Sequence, residues 1–185
     1  MLKRAFDLLL SGAALLLLLP LLLLTALAVW VDSGRPVLYR QTRVGRGGRE
    51  FRMLKFRSMV VEADRIGPHS TAVGDPRITR VGRFIRRTSL DELPQLLNVL
   101  RGDMSLVGPR PDVPTQRIEY TDAQWLERHR VRPGITGLAQ ALYRSDAQGS
   151  QRLDADLRYV REASLWLDLK IFWWTLRRLG GKGSN

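Results

Sequence analysis

Leu8-Leu9-Leu10-Ser11-Gly12-Ala13-Ala14-Leu15-Leu16-Leu17-Leu18-Leu19-Pro20-Leu21-Leu22-Leu23-Leu24-Thr25-Ala26-Leu27-Ala28-Val29-Trp30-Val31 carries no charge and has a single proline near its midpoint. As one straight helix it would measure roughly 36 Å, enough to enter or cross a bilayer. Three readings fit. A signal peptide would use the basic start Lys3-Arg4 and Ala26-Leu27-Ala28 as a cleavage site, but the apolar core is long for a signal. A single spanning helix conflicts with charge. Lys3 and Arg4 precede the run and Arg35, Arg40, Arg43 and Arg46 follow it, so the positive-inside rule draws both ends to one side. The third reading is a re-entrant helix: Pro20 removes a backbone hydrogen bond, the helix breaks, and two limbs of roughly 18 Å dip into one leaflet and return. The backbone freed around Leu16 then needs partners, and Ser11 and Thr25 look distant. Asp7, at the start, is expected to cap the helix or to pair with a basic residue.

Outside this run the chain of 185 residues is long enough for one domain with a real core, to which 44% hydrophobic residues contribute. It has no cysteine, which excludes disulfides, a thiolate nucleophile and cysteine-ligated metal. A net charge of +12, from 30 basic and 18 acidic residues, points to an anionic partner such as phosphate or acidic lipid. Only Lys3, Lys55, Lys170 and Lys182 of those 30 are lysines. Arginine suits bidentate phosphate recognition, although a GC-rich genome would enrich it too. Nucleic acid is not expected as a partner, because aromatic and basic residues do not alternate as they do in stacking platforms.

Val37 to Val44 and Glu50 to Phe56 read as strands joined by Gly45-Arg46-Gly47-Gly48, a β-hairpin whose second strand ends in Lys55-Phe56-Arg57. Lys55 and Arg57 are either an exposed polar face or phosphate contacts. Glu62 to Pro76 is turn-rich and leaves His69 without metal-binding companions. Arg80, Arg83 and Arg86 recur every third residue, with Arg87 beside the last, along one helical face. In Gly108-Pro109-Arg110-Pro111 two prolines restrict the backbone around Arg110, and Arg128-His129-Arg130-Val131-Arg132-Pro133-Gly134 is a second basic, turn-forming segment. Leu165 to Arg178, rich in tryptophan, suits either core packing or a helix lying among lipid headgroups.

Ser89-Leu90-Asp91-Glu92-Leu93-Pro94-Gln95-Leu96-Leu97-Asn98 sets two carboxylates between the arginine stripe and an apolar helix. Ser89-x-x-Glu92 fits a capping box, and acidic residues suit a helix N-terminus. Pro94 would then fall inside the first turns and disturb them. A cap and a catalytic pair both stay open on these residues.

Asp75-Pro76-Arg77-Ile78-Thr79-Arg80-Val81-Gly82, Arg86-Arg87-Thr88-Ser89-Leu90-Asp91-Glu92-Leu93-Pro94-Gln95, Gly108-Pro109-Arg110-Pro111 and Arg132-Pro133-Gly134-Ile135-Thr136-Gly137 together closely resemble the bacterial sugar transferase family, the monotopic phosphoglycosyl transferases. The resemblance runs from Lys3 to about Arg178. It implies an α+β fold: a re-entrant membrane helix in residues 1–34, a catalytic domain in 35–178 with a β-hairpin and amphipathic helices on the membrane, and a loose tail in 179–185. It also implies transfer of a sugar phosphate from a nucleotide sugar, UDP-linked by expectation, to polyprenyl phosphate, usually undecaprenyl phosphate, with release of a nucleoside monophosphate. Glycan assembly at the cytoplasmic face of a bacterial inner membrane would begin there. By the family pattern Asp91 is the nucleophile that forms an aspartyl-phosphosugar, and Glu92 assists at a Mg2+ site shared with Asp91. Arg86, Arg110 and Arg144 match basic family positions and are expected to bind phosphate, as, more weakly, are Lys55 and Arg57. Ala141-Leu142-Tyr143-Arg144-Ser145 replaces the Asn-Gly-Arg-Asn type of sequence of many relatives. The chain resembles a minimal catalytic form without the multi-helix region of larger relatives, and a homodimer is left open. The competing class is a membrane-tethered module that binds anionic lipid without chemistry.

Overall fold

The computed structural model describes residues 2–67, 74–143 and 149–179. The apolar run forms two helices, α1 (Leu2–Leu17) and α2 (Leu19–Ser33), bent by 63°. The break falls at Leu18, where φ is −89° and ψ is 2°. Pro20 thereby lies in the first turn of α2, where its missing N–H is an orphan in any helix. The backbone bridges the bend, with Leu18 N–H bonded to Ala14 O at 2.9 Å and Leu22 N–H to Leu18 O at 2.8 Å. Among the described residues no single helix is long and apolar enough to cross a membrane.

One side of α1 is polar where it meets the rest of the chain. Asp7, 2% exposed, accepts from Ser105 Oγ at 2.9 Å and from the Leu106 N–H at 3.1 Å. Neither expectation for Asp7 holds, because it ties α1 to a buried strand. Lys3 Nζ donates to Asp168 Oδ2 at 2.5 Å and Arg4 Nη1 to Val99 O at 2.7 Å. Phe6, Leu10, Ala14 and Leu15 pack into the main core. Elsewhere both helices are bare: Leu9, Leu16 and Leu17 on α1 and Leu23, Leu24, Leu27 and Val31 on α2 are all more than half exposed.

Strands β1 (Leu38–Val44) and β2 (Glu50–Phe56) pair antiparallel from Leu38↔Phe56 to Val44↔Glu50, the expected hairpin to within a residue. Its turn uses Gly47 and Gly48 at φ 69° and 76°, the left-handed region glycine enters without penalty. After the short α3 (Ala63–Ile66) come α4 (Arg80–Arg87), a 3-10 turn at Leu90–Glu92, α5 (Gln95–Arg101), β3 (Ser105–Val107), α6 (Asp122–Arg128), β4 (Gly134–Thr136), α7 (Leu138–Tyr143), α8 (Gly149–Glu162) and α9 (Leu165–Leu179). β3 and β4 pair in parallel, Ser105↔Gly134 and Val107↔Thr136. Gly108 lets the two backbones close up: a Cβ there would lie 2.3 Å from Arg132 O.

The main core joins Met53, Leu96, Val99, Met104, Val107, Tyr159 and Ile171; a second cluster of Val29, Phe56 and Ile85 sets α2 against β2 and α4. The core-packing reading of the tryptophan-rich segment holds for one side of α9, and the other side is open. Ile171 and Asp168 are fully buried, whereas Trp166 and Trp173 are exposed with Lys170 and Arg177 over their rings at 5.3 Å.

Candidate active site

The capping box does not form. Ser89 sits at φ 58° and makes no side-chain cap, so the chain turns through Leu90–Glu92 and α5 begins only after Pro94. Proline at that entrance supplies a favourable φ instead of breaking a turn, which removes the conflict the sequence posed. Both carboxylates are thereby released from helix capping.

Asn98, on α5 and fully buried, registers this turn against the hairpin. It accepts the Leu54 N–H at 2.9 Å and donates to Arg52 O at 2.8 Å and Asp103 Oδ2 at 3.0 Å. β2 consequently delivers Lys55 to Glu92. Lys55 Nζ bonds Glu92 Oε1 at 2.8 Å, and Arg110 Nη2 reaches the same oxygen at 3.1 Å. Both ion pairs fall on Oε1. Burial alone would raise the Glu92 carboxyl, but Arg110 and Lys55 outweigh it and hold it down at about 2. Among the described residues Asp91 has no such pair, and it is 9% exposed. Burial first, then the Glu92 charge, pushes its carboxyl up to about 6, against the pull of Lys55 and Arg86. Two adjacent carboxylates are thus driven apart, one fixed as an anion and one poised near neutrality, an asymmetry that marks functional sites.

Arg110 is held by its backbone. Arg128 Nη2 donates to Arg110 O at 2.8 Å and Arg43 Nη1 to Pro111 O at 2.8 Å. Arg128, 2% exposed, is in turn paired with buried Asp112 and with Asp156 Oδ2 at 2.7 Å, and Arg152 reaches Asp112 Oδ1 at 3.0 Å. The sequence reads Arg128 as part of a basic, turn-forming segment and does not single out Asp112 or Asp156. The nearest local hint is the i,i+4 spacing of Arg152 and Asp156 on α8.

The two carboxylates and the cations paired with Glu92 line a cleft of about 560 Å³. Lys55, Arg57, Arg86, Asp91, Glu92 and Arg110 all border it, which brings together every expected site residue except Arg144; Arg144 lies outside the described residues. The Arg57 guanidinium is 5% exposed, and its Nη2 donates to Ser33 O at 2.6 Å and Gly34 O at 2.7 Å, at the end of α2. The two non-glycine residues with positive φ among those described, Glu62 and Ser89, also border this cleft. Such conformations cost energy and gather at functional sites. No group of three or more His, Asp or Glu converges as a metal cage among the described residues.

Residues 1–182 match the sequence model of a family described as bacterial sugar transferase. An undecaprenyl-phosphate glucose phosphotransferase of Komagataeibacter xylinus is 49% identical over 95% of this chain and 35% of that protein. A UDP-glucose:undecaprenyl-phosphate glucose-1-phosphate transferase of Caulobacter vibrioides is 48% identical over 91% of this chain and 66% of that one. An exopolysaccharide production protein of Rhizobium leguminosarum bv. phaseoli is 44% identical over 95% of this chain and 93% of its own length. The chain therefore spans about a third to two thirds of the length of the first two relatives and nearly all of the third.

Proposed function

The chain belongs to the bacterial sugar transferase family, and from that premise we propose that it moves a sugar 1-phosphate from a nucleoside diphosphate sugar to a polyprenyl phosphate through Asp91. Relatives at 46–49% identity are named for UDP-glucose or undecaprenyl phosphate, which supports a UDP-sugar donor and an undecaprenyl phosphate acceptor here. The observation that carries the reading is the unpaired, buried Asp91 beside a Glu92 already neutralised by two cations.

The Asp91 carboxylate attacks the phosphorus that bears the sugar. The bond from that phosphorus to the oxygen of the departing nucleoside monophosphate breaks, and an acyl phosphate forms on Asp91. A phosphate oxygen of the acceptor then attacks the same phosphorus, and Asp91 leaves as a carboxylate. Capture and release at one atom let a soluble donor and a lipid acceptor use one site in turn. Lys55 and Arg110 hold Glu92 in place and offer fixed positive charge to the diphosphate, which gathers negative charge during transfer. Arg86, at the rim, adds to that field.

The carboxylates fit Mg2+ that arrives with a diphosphate. A hard cation of this kind takes one or two protein carboxylates and completes its shell with phosphate and water. Asp91 and Glu92 supply the two, and Glu92 Oε2 is clear of both Lys55 and Arg110. When bound, the ion would neutralise charge on the phosphates.

The bare leucines of the bent helix pair and the exposed tryptophans of α9 support placement of the pair in one leaflet of the inner membrane with α9 at its surface. Both ends of the pair would then share the cytoplasmic face with the cleft. The experiment for the reaction is rapid quenching and intact-protein mass spectrometry after incubation with UDP-sugar and Mg2+ but no acceptor. A sugar-phosphate adduct on the wild type, absent from Asp91→Asn, is expected. An adduct that persists in Asp91→Asn removes Asp91 from the chemistry.

A further inference from the structure

One wall of the cleft is left unused by this chemistry. β1 contributes Tyr39, Gln41 and Arg43, alternate residues on one side of the strand, to its lining. Arg43 donates Nε and Nη2 to Gln41 Oε1, at 3.1 and 2.7 Å, while its Nη1 holds Pro111 O. This fork fixes the amide of Gln41, because the flipped orientation would turn an NH2 group against two N–H donors. Gln41 therefore offers its Nε2 hydrogens outward, and among the described residues they have no acceptor. The cleft has a locked donor that no ion pair or core contact explains.

Position along the cleft says what that donor meets. Pro36 and Arg57 mark the end beside α2; Tyr39 and Lys55 pair across the hairpin next; Gln41 and Arg43 follow, toward Pro111. With α2 in the membrane as proposed above, an acceptor carried on a lipid would enter beside α2. The far end is left to the part of the donor that departs, its nucleoside. Resting on the transfer reading above, we propose that Gln41 is a specificity-determining residue whose amide donates to the 4-carbonyl of a uracil-type base. Cytosine presents an amino group at that edge, a second donor that the locked amide cannot accept.

The test is calorimetric titration of UMP and CMP into the full chain in detergent micelles, for wild type, Gln41→Leu and Gln41→Glu. Wild type is expected to prefer UMP by about tenfold or more, the scale of one well-placed hydrogen bond gained against one donor left unpaired. Gln41→Leu should weaken UMP about tenfold and bring the two nucleotides within about twofold of each other. Gln41→Glu presents only acceptors and should shift the preference toward CMP. Equal binding of UMP and CMP by wild type overturns the assignment, as does Gln41→Leu that keeps the wild-type ratio. Unchanged UMP affinity in Gln41→Leu with a raised KM for the UDP-sugar would place Gln41 on the sugar and also overturn it. Wild type that binds neither nucleotide, with its thermal melt intact, defeats the transfer reading itself.

Discussion

Asp91→Asn should make the protein more stable while it abolishes transfer, and the gain should depend on pH in a defined direction. A carboxyl raised from 3.8 to about 6 on folding favours the folded state when protonated. That contribution is complete below pH 3.8 and is lost as pH rises through 6. Converted at 1.36 kcal/mol per pKa unit, the loss is about 3 kcal/mol by neutral pH. Asparagine is neutral throughout and keeps the shape, so the variant escapes the loss. For a chain of this size 3 kcal/mol corresponds to roughly 6–12 °C in Tm. Thermal melts in detergent, without donor or Mg2+, should show Asp91→Asn melting higher by that order at pH 8 and converging on wild type near pH 4. An Asn variant that melts at or below wild type at pH 8 would mean that ionised Asp91 stabilises the fold, and the picture of a carboxylate kept for chemistry at the expense of stability would be wrong.

The pH dependence of adduct formation should follow the same electrostatics: activity falls as pH drops through about 6 as Asp91 protonates, Glu92→Gln moves this acid limb lower, and Lys55→Met moves it higher while slowing the step about 10²–10³-fold. Limbs that fail to move, measured by quenched single turnover from pH 5 to 8, would detach Asp91 from both neighbours. Single cysteines at Leu2 and Ser184 should both resist an impermeant thiol reagent in intact cells and react after lysis; labelling of only one in intact cells contradicts the re-entrant arrangement, and Pro20→Leu should bring the two sites to opposite faces. Asp7→Ala strands Ser105 Oγ and the Leu106 N–H in the interior and should cost about 3 kcal/mol in denaturant unfolding; a loss below about 0.5 kcal/mol would show that the anchor of α1 is dispensable.

Local pattern carried much of the fold. The hairpin was legible because Gly45 to Gly48 separates two runs of strand formers, and the bend because Pro20 interrupts an otherwise uniform helix. Ser89-x-x-Glu92 misled because the motif reports only spacing: it needs an extended serine, and Ser89 instead takes φ 58° so that α5 can start after Pro94. The carboxylate pair itself was visible, but its asymmetry was not. Glu92 is quenched by Lys55, 37 residues earlier, and by Arg110, 18 residues later, and no local window contains both. Arg128 shows the same blindness in reverse, since its basic neighbours suggest a surface while Asp112 and Asp156 draw it inside. Asp7 looked like a cap because its partners, Ser105 and Leu106, lie about a hundred residues away.

The bond between Arg57 and the end of α2 has a mechanical consequence. Arg57 stands two positions after Lys55 and grips Ser33 and Gly34, so the strand that delivers the lysine is bolted to the returning limb of the bent pair. The second core cluster also presses Val29 of α2 onto Phe56 of β2, so limb and strand tilt together. In a thinner or thicker bilayer the limb would swing, and the bolt would convert that swing into a displacement of Lys55 against Glu92. With the pair seated in one leaflet as proposed, the cleft would be geared to the lipid beneath it, and turnover in nanodiscs of graded acyl-chain length should pass through a maximum that Arg57→Met flattens.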